Sequence, residues 1–179
     1  GGIPRYIEQF SQKLDLFDNI SEYILNKNSP LYSEPKFLLR EEIVDSTTYF
    51  SILRVISEGS HKLSDISSRL MITSKNITSF LDKLRELEIL ERIVPVTEEN
   101  PAKSKKGLYI IKDNFFRFWF RYVFPYQSYL EIGNINYVLE KIRADFNLFV
   151  SFIFENICIE HIQNQKLSFE KRKVGKWWD

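Results

Sequence analysis

The feature that most narrows what this chain can fold into is the order of patterns between residues 46 and 112. Asp45, Ser46 or Thr47 can cap a helix whose apolar positions Tyr49, Phe50, Ile52, Leu53 and Ile56 fall on one stripe, and Gly59 ends it. Leu63, Ile66 and Leu70 mark a short second helix. Met71-Ile72-Thr73 reads as a turn, and Thr73 or Ser74 as the cap of a third helix with Ile77, Phe80, Leu81, Leu84 and Leu87 as its core positions. The period then shortens to that of a strand. Leu90–Val96 alternates and is β-branched, 97–107 is polar with Asn100-Pro101 and a closing glycine, and Leu108–Ile111 is a second strand. Two helices joined by a tight turn, a helix before them and a hairpin after them make the plan of a winged helix-turn-helix.

Composition agrees with a mainly α chain. Of 179 residues 44% are hydrophobic and 15% aromatic, enough to fill a core, while six Gly and six Pro are too few for a turn-rich all-β fold. The single cysteine, Cys158, excludes an internal disulfide and fits a reducing, cytoplasmic setting. No apolar run reaches the length of a membrane span and no signal-peptide pattern opens the chain. The aromatic stretch 115–126 carries Arg117 and Arg121, which suits a core helix.

On either side of the hairpin unit the patterns are again helical. Apolar residues between Tyr6 and Ile24 recur at helical spacing, predicting one or two helices over 5–28 that stop at Asn28-Ser29-Pro30. A connection containing Pro35 follows, then a turn or two of helix at 37–42. Residues 115–124 are apolar nearly all round, which predicts a helix buried on several sides. A further helix over 136–163 carries Tyr137, Val138, Ile142, Phe146, Phe149, Val150, Ile153, Phe154, Ile157 and Ile162 on its apolar face. The tail ends in Trp177-Trp178-Asp179, with no evident burial partner for either ring. Three segments are therefore expected: 1–45, 46–112 and 113–179.

Charge is nearly balanced at +1, but residues 60–112 hold ten basic and seven acidic side chains, a local balance of +3. Ser74, Lys75, Asn76, Thr78 and Ser79 lie off the apolar stripe at the start of the third helix, the part that meets a DNA major groove in such folds. Lys103, Lys105 and Lys106 sit in the hairpin loop, where each phosphate they neutralise would release counterions. A loop using lysine only for solubility is the plainer alternative, and Asp82, Glu86 and Glu88 behind the third helix would suit a protein partner instead. No nucleophile motif, Gly-rich phosphate loop or metal-ligand spacing is present. His61 and His161 are isolated, and Cys158 sits in an apolar run.

Several separated blocks carry a resemblance. Gly1-Gly2-Ile3-Pro4-Arg5-Tyr6, the run 31–42, Tyr49-Phe50-Ser51-Ile52-Leu53, the runs 91–98 and 100–104, and Phe115-Phe116-Arg117-Phe118-Trp119-Phe120 resemble the archaeal ATPase family of the AAA+/STAND class. The resemblance implies a C-terminal part of a larger ATPase, whose nucleotide-binding domain would precede residue 1. Gly2-Ile3-Pro4 matches the family's Gly-x-Pro motif, so Gly2 and Pro4 would stand on the adenine side of a helical lid formed by residues 5–44, unless Gly1-Gly2 is vector-derived. Residues after the hairpin resemble the start of a restriction-endonuclease-like domain. Glu155 matches its first acidic position, whereas the family's later Asp and Glu-x-Lys positions fall beyond Asp179.

The expectation is thus a non-catalytic, DNA-binding and regulatory fragment of a STAND-type ATPase, with no cofactor or metal of its own and with ATP and Mg²⁺ needed by the parent protein. Expected partners are double-stranded DNA and the ATPase domain of the same protein, with self-assembly left open and no membrane. Two alternatives stay open: a winged helix that docks only on protein, and a fragment of a Mg²⁺-dependent nuclease.

Overall fold

Residues 4–43, 46–166 and 172–179 are described by the computed structural model. The chain is mainly helical with a small two-stranded antiparallel sheet, the class expected from its periodicities. The N-terminal stretch is more broken than the spacing over 5–28 predicts. Helix α1 is a single turn, Pro4–Ile7; α2 is Leu16–Ile20, extended by a π-helical turn, Ser21–Leu25. Between them the backbone loops around Asn19, which is buried. Its amide donates to the carbonyls of Ser11, Leu14 and Asp15 and its oxygen accepts from the Ser11 N–H at 2.7 Å. These bonds supply the loop with partners that a helix would otherwise provide, so Ile7 and Leu14 face outward. Asp15 then caps α2 by accepting from the Asp18 N–H.

Helix α3, Pro30–Glu42, runs straight through Pro35, which had been expected in a connection. A proline inside a helix loses one backbone bond and its ring crowds the preceding turn. Here the preceding turn is tied from outside. The Tyr32 carbonyl accepts from Trp119 Nε1 at 2.7 Å, and the Tyr32 hydroxyl donates to Glu131 at 2.9 Å.

From residue 46 onward the expected order is present: α4 Thr47–Ser57, α5 Leu63–Leu70, α6 Ser74–Glu86, β1 Leu90–Ile93 and β2 Leu108–Ile111. Asp45, one candidate cap of α4, lies outside the described residues. Gly59, at φ 105°, lets the Gly59 and Ser60 N–H groups turn back onto the Ile56 and Val55 carbonyls and close α4. Met71 takes a left-handed conformation between α5 and α6, and Thr73 caps α6 through the Asn76 N–H. The first strand stops at Ile93, three residues short of the expected end. Leu90 pairs with Ile111 and Ile93 with Leu108. Ile52, Leu53, Ile66, Ile77, Leu81 and Leu84 are all fully buried between the three helices.

Helix α7, Asn114–Tyr122, is capped by Asp113 and buried on several sides, as its composition predicts. Trp119, Phe120 and Phe124 surround Phe50 of α4, with ring centroids 5.0–6.4 Å apart. The core is one connected cluster from Tyr6 to Phe149. A 3-10 turn, Phe124–Tyr126, and α8, Gln127–Glu131, lead to α9, Ile135–Asn164. The first half of α9 packs through Val138, Ile142 and Phe149. Beyond that, the expected apolar face is largely open: Phe154, Ile157 and Ile162 are exposed, while Ile153 still packs on the core, Arg117 lies over Phe152, and the tail reaches Glu155 and Gln163. No helix among the described residues is long and apolar enough to cross a membrane.

The tail departs from expectation in the other direction. Trp178 Nε1 donates to the Lys106 carbonyl at 3.0 Å, the Val96 N–H donates to the Lys176 carbonyl at 2.8 Å, and Lys176 pairs with Glu155 at 2.9 Å. Residues 172–179 therefore strap the hairpin to α9. Trp178 is half-buried; Trp177 remains mostly exposed.

Candidate nucleic-acid interface

The α5–α6 corner is built by small polar side chains. Ser67 donates to the Ile72 carbonyl at 2.5 Å and accepts from Ser74, so the turn is tied on both sides. The cap at Thr73 fixes where α6 begins, and burial of Ile77, Leu81 and Leu84 fixes its rotation. Ser74, Lys75, Asn76 and Ser79 are consequently exposed and Thr78 is half-buried. The five residues form one outward surface, but they are unequal. Thr78 donates its hydroxyl hydrogen to the Ser74 carbonyl and Ser79 to the Asn76 carbonyl, so both hydroxyls offer an acceptor rather than a donor. Lys75 is the charged member of the set.

The rest of α6 is neutralised along its own surface. Asp82 pairs with Arg85 at 3.0 Å and Lys83 with Glu86 at 3.6 Å. Glu88, expected on the back of this helix, lies past its end at φ 56° and pairs with Lys112 at 3.2 Å. The three acidic residues that had suggested a protein-binding face are thus each tied to a neighbouring cation.

In the hairpin, Arg92 holds the loop in shape. Its guanidinium donates to the Pro101 carbonyl at 3.0 Å and the Ser104 carbonyl at 2.5 Å, and Gly107 passes so close beneath it that a Cβ there would overlap the guanidinium. This positioning role of Arg92 was not legible in the sequence, where Arg92 reads as one more outward strand residue. Lys103, Lys105 and Lys106 are exposed around the loop so formed, with Glu98 and Glu99 as the acidic counterweight in the same connection. Lys75, Lys103, Lys105 and Lys106 have no carboxylate partner among the described residues. No hydrogen bond or ion pair joins the loop lysines to the start of α6, so the structure presents two separate basic elements on one unit.

Of the residues singled out by resemblance, Gly2 lies outside the described residues and Pro4 opens α1 in an exposed position. Glu155 is half-exposed on α9 and bound to Lys176. Among the described residues no three His, Cys, Asp or Glu side chains come together as a metal site. His61 is held in place by the hairpin: its Nδ1–H donates to the Tyr109 carbonyl at 3.1 Å. Burial, with Arg117 and Arg121 near it, keeps its proton affinity below that of an ordinary histidine.

The chain is 40% identical, over 99% of its length, to an uncharacterized protein of Methanocaldococcus jannaschii, of which it spans about 40%. No solved structure matches it. Residues 119–179, from the middle of α7 through the tail, match the model of the DUF234 family, described as "Archaea bacterial proteins of unknown function".

Proposed function

We propose that this chain is a DNA-binding and regulatory segment of a larger archaeal-type ATPase, with α4–α6 and the hairpin acting as a winged helix on double-stranded DNA. The observation that carries this reading is the pair of basic elements on one rigid unit: Lys75 among small polar side chains at the start of α6, and three exposed lysines on a loop braced by Arg92. The parentage is supported by the family matched over residues 119–179, which is associated with the C-terminal regions of archaeal ATPases, and by the relative's greater length. A cytoplasmic setting goes with that parentage. ATP and Mg²⁺ would belong to a preceding domain, and Pro4 would contribute only at its edge.

The test is duplex binding by fluorescence anisotropy across a salt series. Each phosphate contact contributes about −0.9 to the slope of log K against log salt. Changing Lys103, Lys105 and Lys106 to Ala should flatten the slope by about 2 to 3 and weaken binding to every sequence alike. Lys75→Ala should flatten it by about 1. An unchanged slope in both variants would reject DNA as the partner. The exposed apolar residues Phe154 and Ile157 on α9 favour a protein contact on that separate surface, compatible with either outcome.

A further inference from the structure

A cleft of about 430 Å³ opens between the end of α4, the hairpin, α7, α9 and the tail. Its walls are mostly apolar, with Ile56, Ile110, Leu148, Phe152, Trp177 and Trp178 among them. It lies away from the start of α6, so the proposed DNA contact makes no use of it. The two tryptophans that had no evident role in the sequence form part of its rim.

Most of the charged side chains facing this cleft are already paired. Glu58 is bound by Arg54 at 2.9 Å and Arg69 at 2.6 Å. Arg121 is paired with Asp145, which also accepts from the Tyr122 hydroxyl, and donates to the Ser57 carbonyl at 3.0 Å. Lys176 is paired with Glu155. His61 donates from Nδ1 to a carbonyl, which leaves Nε2 as an acceptor in the neutral ring. Of the cations that line the cleft, Arg117 is the one unpaired among the described residues. Its guanidinium lies 4.8 Å from the Phe149 ring and 5.4 Å from the Phe152 ring, and one N–H donates to the Phe149 carbonyl at 3.0 Å. Among the described residues it has no carboxylate partner.

A half-buried guanidinium without a counter-charge is costly, and a guanidinium has five N–H groups to satisfy. Burial and the adjacent Arg121 both act against its charge. Packing alone would be served better by an apolar side chain at this position. The paired fork of N–H groups, set among aromatic and branched walls, is complementary to a carboxylate attached to an apolar body. We infer that the cleft is a binding site for a small organic monoanion, a carboxylate on an aromatic or branched apolar group, with Arg117 as the anion's partner and Phe152, Trp177 and Trp178 against the body. The single unpaired guanidinium lining the cleft matches one carboxylate, and the volume admits a body of two fused rings. Because the tail that carries both tryptophans is also bonded to Lys106, the occupied cleft would stiffen the base of the lysine loop.

The probe is 2-naphthoate, with 2-naphthamide as its uncharged twin, titrated by calorimetry into the whole chain. Naphthoate should bind at least tenfold more tightly than the amide. Arg117→Met and Arg117→Gln should erase that preference while the melting temperature stays level or rises, because the unpaired charge is gone. In the unmodified protein, ¹H–¹⁵N spectra should show the indole signals of Trp177 and Trp178 moving with naphthoate while that of Trp119 stays still. Equal affinity for acid and amide, a preference that survives in a folded Arg117 variant, or naphthoate without effect on the two tail indoles would each overturn the assignment.

Discussion

Trp119→Phe tests whether the N-terminal segment and the hairpin unit share one core. Phenylalanine keeps an aromatic ring against Phe50, Phe120 and Phe124 but removes the indole N–H that the Tyr32 carbonyl accepts at 2.7 Å. Both groups are buried, so no water replaces the lost donor; the Tyr32 carbonyl keeps its place inside α3, and the lost hydrogen bond is worth about 0.5–1.5 kcal/mol. The smaller ring also leaves a void beside a side chain that is 0% exposed, which adds up to about 1 kcal/mol. The expected loss is thus about 1–2 kcal/mol. For a chain of this size that lowers the melting temperature by about 2–8 °C. Urea unfolding followed by far-UV circular dichroism would measure it as a lower midpoint with an unchanged slope. Trp119→Ala should cost more, about 3–5 kcal/mol. A loss below about 0.5 kcal/mol for the Phe variant would refute the reasoning. So would a variant that unfolds in two steps, since the shared core would then not be holding the segments together.

Three further outcomes follow from the same geometry. His61 is buried with a lowered proton affinity, so the unfolded chain takes up a proton that the folded chain resists; stability should be unaffected above the ordinary histidine pKa of about 6.5 and fall as pH drops below it. Urea midpoints at pH 7.5 and 5.5 should differ less in His61→Gln than in the parent. Gly107→Ala would drive a Cβ into the Arg92 guanidinium and release the Pro101 and Ser104 carbonyls, costing about 1–2 kcal/mol and speeding amide exchange in residues 101–107. Met71, exposed and left-handed at φ 54°, should be replaced by Gly with a gain of about 0.5–1 kcal/mol in thermal unfolding.

What the sequence made legible was local. Helices α4–α6 and the two strands follow from apolar spacing, a cap at Thr73 and a glycine at 59, all signals carried within a few residues of where they act. The exposed faces of α6 and the hairpin loop follow from the same spacing, which is why the candidate DNA contacts lie outside as expected. The misreadings come from bonds between distant residues. Asn19 replaces helix with loop by satisfying Ser11, Leu14 and Asp15. Trp119 reaches back across the chain to the turn before Pro35, and Trp178 reaches Lys106. Periodicity is blind to such pairings, as it is to which half of α9 meets a neighbour. It cannot show either that Arg117 is the cleft cation left unpaired among the described residues, because that depends on who pairs with Asp145 and Glu155.

The rings of Trp119, Phe120 and Phe124 around Phe50 also bear on how a movement would travel through this molecule. No glycine-rich link separates α3 from α4 in that contact; a single indole grips the backbone of one and the aromatic face of the other. Bending there would mean parting buried aromatic rings. A displacement imposed on α3 would therefore reach the hairpin as a rigid swing, like a key turning its bit, rather than being absorbed along the way.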